Sequence, residues 1–164
     1  MEPKDRPIIA ITKPRWEVIV DVVLFIVGIL FVIYLVTQWV SIPQRVPVHF
    51  KLNGEADRWG DKWMLIIPIL LGIGLWIGLT ILQRYPHKYN YINLTSQNAE
   101  RQYRNARRIV YVLKIEITVL MFNFSWMGMQ DARGEHVSNY FMIFSPIVIV
   151  LTIVFFLLRS ERLK

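Results

Sequence analysis

"VIVDVVLFIVGILFVIYLVTQWV", residues 18–40, carries a single charged side chain, Asp21. A helix of this length rises roughly 35 Å at about 1.5 Å per residue, enough to cross a hydrocarbon core of about 30 Å. Three more apolar runs follow, at 63–82, 109–129 and 140–158, with polar stretches between them. Lipid offers no partner for backbone N–H and C=O groups, so a spanning segment is a helix or part of a closed barrel. None of the four runs alternates as a barrel strand does. The sequence therefore predicts an all-α integral membrane protein with four transmembrane helices. It reads as a single membrane domain over residues 1–164, with connections at 41–62, 83–108 and 130–139.

Composition points the same way. Hydrophobic residues make up 54% of the 164, gathered into blocks where a soluble domain would spread them. Cysteine is absent, which excludes a disulfide, a thiolate nucleophile and a Cys-ligated metal. The first run ends in Trp39-Val40-Ser41 with no small-x-small site after it, so it reads as a permanent anchor and not a cleaved signal.

Charge gives the expected orientation. Of 19 Lys and Arg, 13 fall in the N-terminal lead, the 83–108 connection and the C-terminal end. Five fall in the other two connections, and Lys114 lies within the third run. Cations are retained on the cytoplasmic side, so both termini are expected there, in the cell membrane, with residues 41–62 outside. Topology and anionic lipid thus account for the net charge of +7 without nucleic acid, and the expected partner is the lipid bilayer.

The first outer loop is the long polar interval between two buried runs. In "VPVHFKLNGEADRWGDKW", residues 46–63, Val46, Val48, Phe50 and Leu52 alternate with Pro47, His49 and Lys51, as in a half-buried strand. Asn53-Gly54 is a turn signal, because both residues tolerate positive φ. The alternation fails beyond it, which argues against a long second strand. Asp57 or Asp61 is placed to cap the next helix. A short extended and turn element is expected, with Arg58 and Lys62 pairing to Glu55, Asp57 or Asp61.

Pro68 is expected to bend the second span, and Gly74-x-x-x-Gly78 to allow close helix packing, within the chain or in an oligomer. Residues 95–114, "TSQNAERQYRNARRIVYVLK", predict a helix with Thr95 or Ser96 as N-cap that merges with the third span. Arg101, Arg104 and Arg108 recur along it at helical spacing and would meet phospholipid headgroups.

Ionisable groups inside a span cost about 2.5–3.5 kcal/mol each. Asp21, Lys114 and Glu116 lie at similar depth, and an Asp21–Lys114 pair is the economical expectation. Separate snorkelling to the interface is the alternative, and a proton relay or transport path through Asp21 and Glu116 is a third. Asn123 and Ser125 can hydrogen-bond between helices.

His49, Asp57 and Asp61, joined by His136 from 130–139, include the residue types that bind zinc and activate water, which would make a metal-assisted membrane enzyme. No His-x-x-x-His or His-Glu-x-x-His spacing is present, and the ligands would have to meet from separate loops. The favoured reading is non-enzymatic, with no cofactor. The loop is then a structural plug, with Trp59 and Trp63 in the interfacial aromatic belt, or a surface for an extracellular peptide or another membrane protein.

The positions Pro43, Val46, Pro47, His49, Phe50, Gly54, Asp57, Trp59, Gly60 and Lys62, with "NAERQYRNARR" at 98–108, resemble a bacterial membrane domain of unknown function, family 1648. That domain also forms the N-terminal part of SdpI-type immunity proteins. The resemblance implies a multi-pass protein with this loop outside. It also implies an activity such as sensing a membrane-active peptide or giving immunity to it. Relative to SdpI, the sequence stops after the fourth predicted span.

Overall fold

The computed structural model describes residues 5–51, 55–135 and 140–163; Asn53, Gly54 and His136 lie outside them. Among the described residues, four helical segments are long and apolar enough to cross a membrane. Helix α1 spans Arg15–Gln38, α2 Ile66–Leu82, α3 Ala99–Ala132 and α4 Tyr140–Glu161. Between α1 and α2, strands β1 (Arg45–Phe50) and β2 (Ala56–Asp61) pair antiparallel, and a 3-10 turn at Lys62–Leu65 leads into α2. A second 3-10 turn spans Pro86–Lys88.

Only 6% of the most apolar window of α1, and 6% of that of α4, is buried within the chain. Side chains such as Phe25 and Phe155 are more than half exposed. Contiguous apolar surface on this scale needs a nonpolar environment. The chain is thus a mostly helical protein with the architecture of a multi-pass membrane protein.

The contacts divide into two units, each taken over its described residues. One comprises Thr12–Leu70 and Met121–Asn139 and contains the hairpin; the other comprises Met1–Ile11, Leu71–Leu120 and Tyr140–Lys164. Helices α2 and α3 contribute residues to both.

In the hairpin unit, Leu35, Ile42, Val46, Leu65, Ile69 and Met129 form a buried cluster, with Phe31, Trp39, Val48, Phe122 and Trp126 packed around it. The Phe31 and Phe122 rings lie 5.4 Å apart. Ser125, fully buried on α3, donates to the Leu65 carbonyl at 2.6 Å. That carbonyl lies in the 3-10 turn just ahead of Pro68. Pro68 itself is the third residue of α2, in the first turn, where a missing N–H interrupts no bond that α2 would otherwise make. Helix α2 continues from there to Leu82.

In the other unit, regular α3 begins at Ala99, and Thr95 caps the turn ahead of it as expected, in a reciprocal pair of bonds with Asn98. The Asn98 side chain supplies the return bonds. Its Oδ1 accepts from the Thr95 N–H at 2.8 Å, Thr95 Oγ1 accepts from the Asn98 N–H at 3.2 Å, and Asn98 Nδ2 donates to the Asn93 carbonyl at 3.0 Å. From there α3 runs 34 residues, roughly 50 Å, longer than a hydrocarbon core requires.

The N-terminal lead has no regular structure over residues 6–14, but part of it is held. Ile9 and Ile11 pack on Leu94, Ala99 and Tyr103. Arg6 donates to the carbonyls of His87 and Tyr89 and lies over the Tyr91 ring. Tyr89 donates to the Leu82 carbonyl at 2.8 Å, and burial pushes its phenol up to about 12. Burial raises the Tyr91 phenol further still.

Candidate functional site

The hairpin is built from the base upward. Asp61 caps the 3-10 turn: its Oδ1 accepts from the Trp63 N–H at 3.0 Å and its Oδ2 from Gln44 Nε2 at 2.6 Å. The Lys62 ammonium turns away from the loop carboxylates. It donates to the Trp39 carbonyl at 3.3 Å and sits 5.1 Å from the Trp39 ring centroid. A cation at the C-terminal end of α1 complements the carbonyls left unpaired there. Trp39 in turn packs on Trp63, ring centroids 4.8 Å apart. From the end of α3, Arg133 donates to Gln38 Oε1 and Ser41 Oγ, at 3.0 and 2.6 Å.

Above that base, Val46 is completely buried and Pro47 is buried beside it. Two glycines permit this approach. A Cβ at Gly128 would lie 2.8 Å from Leu65 Cδ2 and 3.3 Å from the Pro47 carbonyl oxygen. A Cβ at Gly60 would lie 2.9 Å from Val48 Cγ1. Both are closer than carbon atoms normally come, so the hairpin reaches α3 and its own strands meet only because neither residue has a side chain.

The far end differs. Strand β2 is as long as β1, six residues each, although the lost alternation argues against a long second strand. Most β2 side chains are exposed whichever way they point, so hydrogen-bonded pairing with β1 holds the strand without an apolar pattern. The register runs Arg45↔Asp61, Val46↔Gly60, Pro47↔Trp59, then shifts to His49↔Arg58 and returns at Phe50↔Ala56. Val48 and Asp57 are left without a Cα partner, an arrangement that re-aims side chains. His49 Nδ1 and Asp57 Oδ1 lie 2.6 Å apart on the solvent side. The hydrogen bond from His49 holds the Asp57 carboxyl below its usual value of 3.8. Arg58 and Trp59 beside them are exposed, Trp59 by 47%. Lys51 and Glu55 meet at 3.4 Å.

Of the sequence-selected residues, His49 and Asp57 are brought together, while Asp61 is engaged at the hairpin base. His49 and Asp61 are separated by four register positions, roughly 13 Å of strand. Among the described residues, no three His, Asp or Glu side chains are grouped to hold a metal. Of the other motif positions, Phe50 is half-buried and Gly54 lies outside the described residues. Gly128 and Arg133 were not legible as contributors, because their roles depend on residues distant in sequence.

Asp21 pairs with Lys13 within the hairpin unit. Lys114, fully buried in the other unit, lies 4.6 Å from the Trp76 ring centroid and 4.8 Å from that of Tyr111, and meets Thr80 Oγ1 at 3.5 Å. Glu116 accepts from Thr152 at 2.7 Å. Of the two polar groups expected to join helices, Ser125 does so, while Asn123 Oδ1 is buried without a hydrogen-bond partner among the described residues. Among the described residues, no atom beyond the helix's own backbone lies within 4 Å of a Cβ placed at Gly74 or Gly78.

Residues 25–73 match the family model described as Domain of unknown function (DUF1648). The matched segment holds most of α1, the whole hairpin and the start of α2. An uncharacterized protein of Archaeoglobus fulgidus is 27% identical over 146 residues, covering 78% of this chain and 79% of that protein. No solved structure matches. The class these findings define is a mostly helical protein with four candidate membrane spans that contains a match to this domain.

Proposed function

We propose that the protein resides in the cell membrane with both termini cytoplasmic, and that its hairpin is an external recognition element. Its ligand would be a membrane-active peptide or another membrane protein. The resemblance to SdpI-type immunity proteins favours the peptide, so that the protein senses it or protects against it. Recognition is non-enzymatic. The observation that carries the reading is the exposed His49–Asp57 pair beside Arg58 and Trp59, none of which the base uses for attachment. An aromatic ring next to an ordered, hydrogen-bonded His–Asp pair combines apolar area with directional hydrogen bonding, as recognition surfaces do.

A photo-crosslinking residue placed at Trp59 in native membranes tests this. A discrete adduct with a peptide or membrane protein that disappears in His49→Ala and Asp57→Ala variants is the expected result. No adduct, or one indifferent to both substitutions, removes the recognition reading.

A further inference from the structure

A second site is built where α3 and α4 meet near the C-terminal end of α4. Arg101, Arg104 and Arg108 from α3 and Arg159 from α4 line a cleft of about 310 Å³, with Leu163 forming an apolar part of its wall. One carboxylate, Glu100, is present, and it is paired with Arg104. The cleft therefore holds a net excess of cations. Like charges brought this close from two helices repel one another, and an anion between them relieves that repulsion.

The floor supplies a second, independent observation. Asn105 is 6% exposed, and its Nδ2 donates to the Phe156 carbonyl at 3.0 Å. A carbonyl cannot donate, so this bond fixes the amide orientation and leaves Oδ1 as the free atom. That Oδ1 is buried with no hydrogen-bond partner among the described residues. A buried acceptor left unpaired is costly, and a donor that reached it from the cleft would relieve that cost. Neighbouring Gln102 and Ser160 satisfy each other across the same pair of helices, so they do not supply it.

We propose that this cleft binds the headgroup of an anionic phospholipid, with the phosphate among Arg101, Arg108 and Arg159 and a headgroup hydroxyl donating to Asn105 Oδ1. Guanidinium groups match phosphate oxygens in geometry as well as charge. The volume lies at the small end of small-molecule sites, which suits a glycerophosphate group. A lipid is favoured over a free phosphate by what adjoins the arginines. Leu151, Phe155, Leu157 and Leu158 of α4 are each more than half exposed and give acyl chains a surface to lie along.

Native mass spectrometry of the detergent-solubilised protein tests the site, using phosphatidylglycerol, phosphatidylcholine and phosphatidylmethanol, the last having the same charge as phosphatidylglycerol without a headgroup hydroxyl. The wild-type chain should retain one phosphatidylglycerol about tenfold more tightly than phosphatidylcholine, and the R108Q/R159Q variant should lose that preference. The charge-matched R84Q/R162Q variant, which changes two arginines outside the cleft, should keep it to within about twofold. Asn105→Leu should erase the preference for phosphatidylglycerol over phosphatidylmethanol. Single R101Q and R159Q variants, both at exposed side chains, decide the matter if the double variant does not fold. Equal losses in the cleft and control variants, or no preference in the wild type, would overturn the site. Displacement of the lipid by an equal concentration of glycerol phosphate would assign it to a soluble phosphate instead.

Discussion

The base and the far end of the hairpin belong to the same short segment, yet they use polar residues in opposite ways. At the base, Asp61, Lys62 and Gln44 bond to helix ends and to one another. At the far end, His49 and Asp57 bond each other in solvent, and Trp59 stands exposed beside them. A charged residue in such a segment is therefore no guide to recognition until its partner is known. Lys62 and Asp57 have similar credentials in the sequence, but the first is a fastening and the second is displayed.

The contrast breaks most severely at Gly128. Gly128→Leu forces a side chain into Leu65 and the Pro47 backbone, and unfolding in detergent should show a loss of about 3 kcal/mol, at the upper end of overpacking. Gly60→Ala adds one methyl against Val48 and should cost about 1–2 kcal/mol by the same measurement. Lys62→Met keeps the aliphatic stem and removes the cation from the end of α1 and from the Trp39 ring. A loss of about 1 kcal/mol is expected, measured as a lowered Tm. Gly74→Ala and Gly78→Ala meet nothing among the described residues, so monomer stability should stay within about 0.5 kcal/mol of wild type or rise. A shift to smaller species in crosslinking of those variants would mark the glycines as an oligomer contact.

Two pH effects separate the units. Tyr89 has its phenol raised to about 12, so its contribution to stability is fully present below pH 10 and is lost as pH rises through about 12. Alkaline titration by ultraviolet absorbance should show this tyrosine ionising late, together with release of the lead bearing Arg6. Asp57 has its carboxyl lowered, so the charged form that holds His49 is present at neutral pH. It is lost only as pH falls below 3.8 and through the lowered value.

The four spans were legible because lipid imposes one requirement, a long apolar run, that sequence displays directly. Asp61 as a cap was legible for a similar reason, since capping is local. What sequence hid depends on distance. Gly128 is an ordinary helix glycine until Leu65 and Pro47 are placed against it. Strand β2 lacks alternation because its side chains are mostly exposed and backbone pairing alone defines it. Thr95 as a cap was legible from residue type, whereas the Asn98 side chain that bonds back to Thr95 and to Asn93 was not. The expected Asp21–Lys114 pairing joins residues of different units, and a charge-exchange double variant, Asp21→Lys with Lys114→Asp, is its test. Rescue of either single variant by the double would support it.

The division of labour between base and far end is tested most directly by the His49→Ala/Asp57→Ala double variant, carrying the crosslinker at Trp59, with Tm and adduct yield measured on the same preparation. The account predicts an unchanged Tm and loss of the adduct. A Tm lowered as far as in Gly128→Leu, or an adduct retained in full, would contradict it.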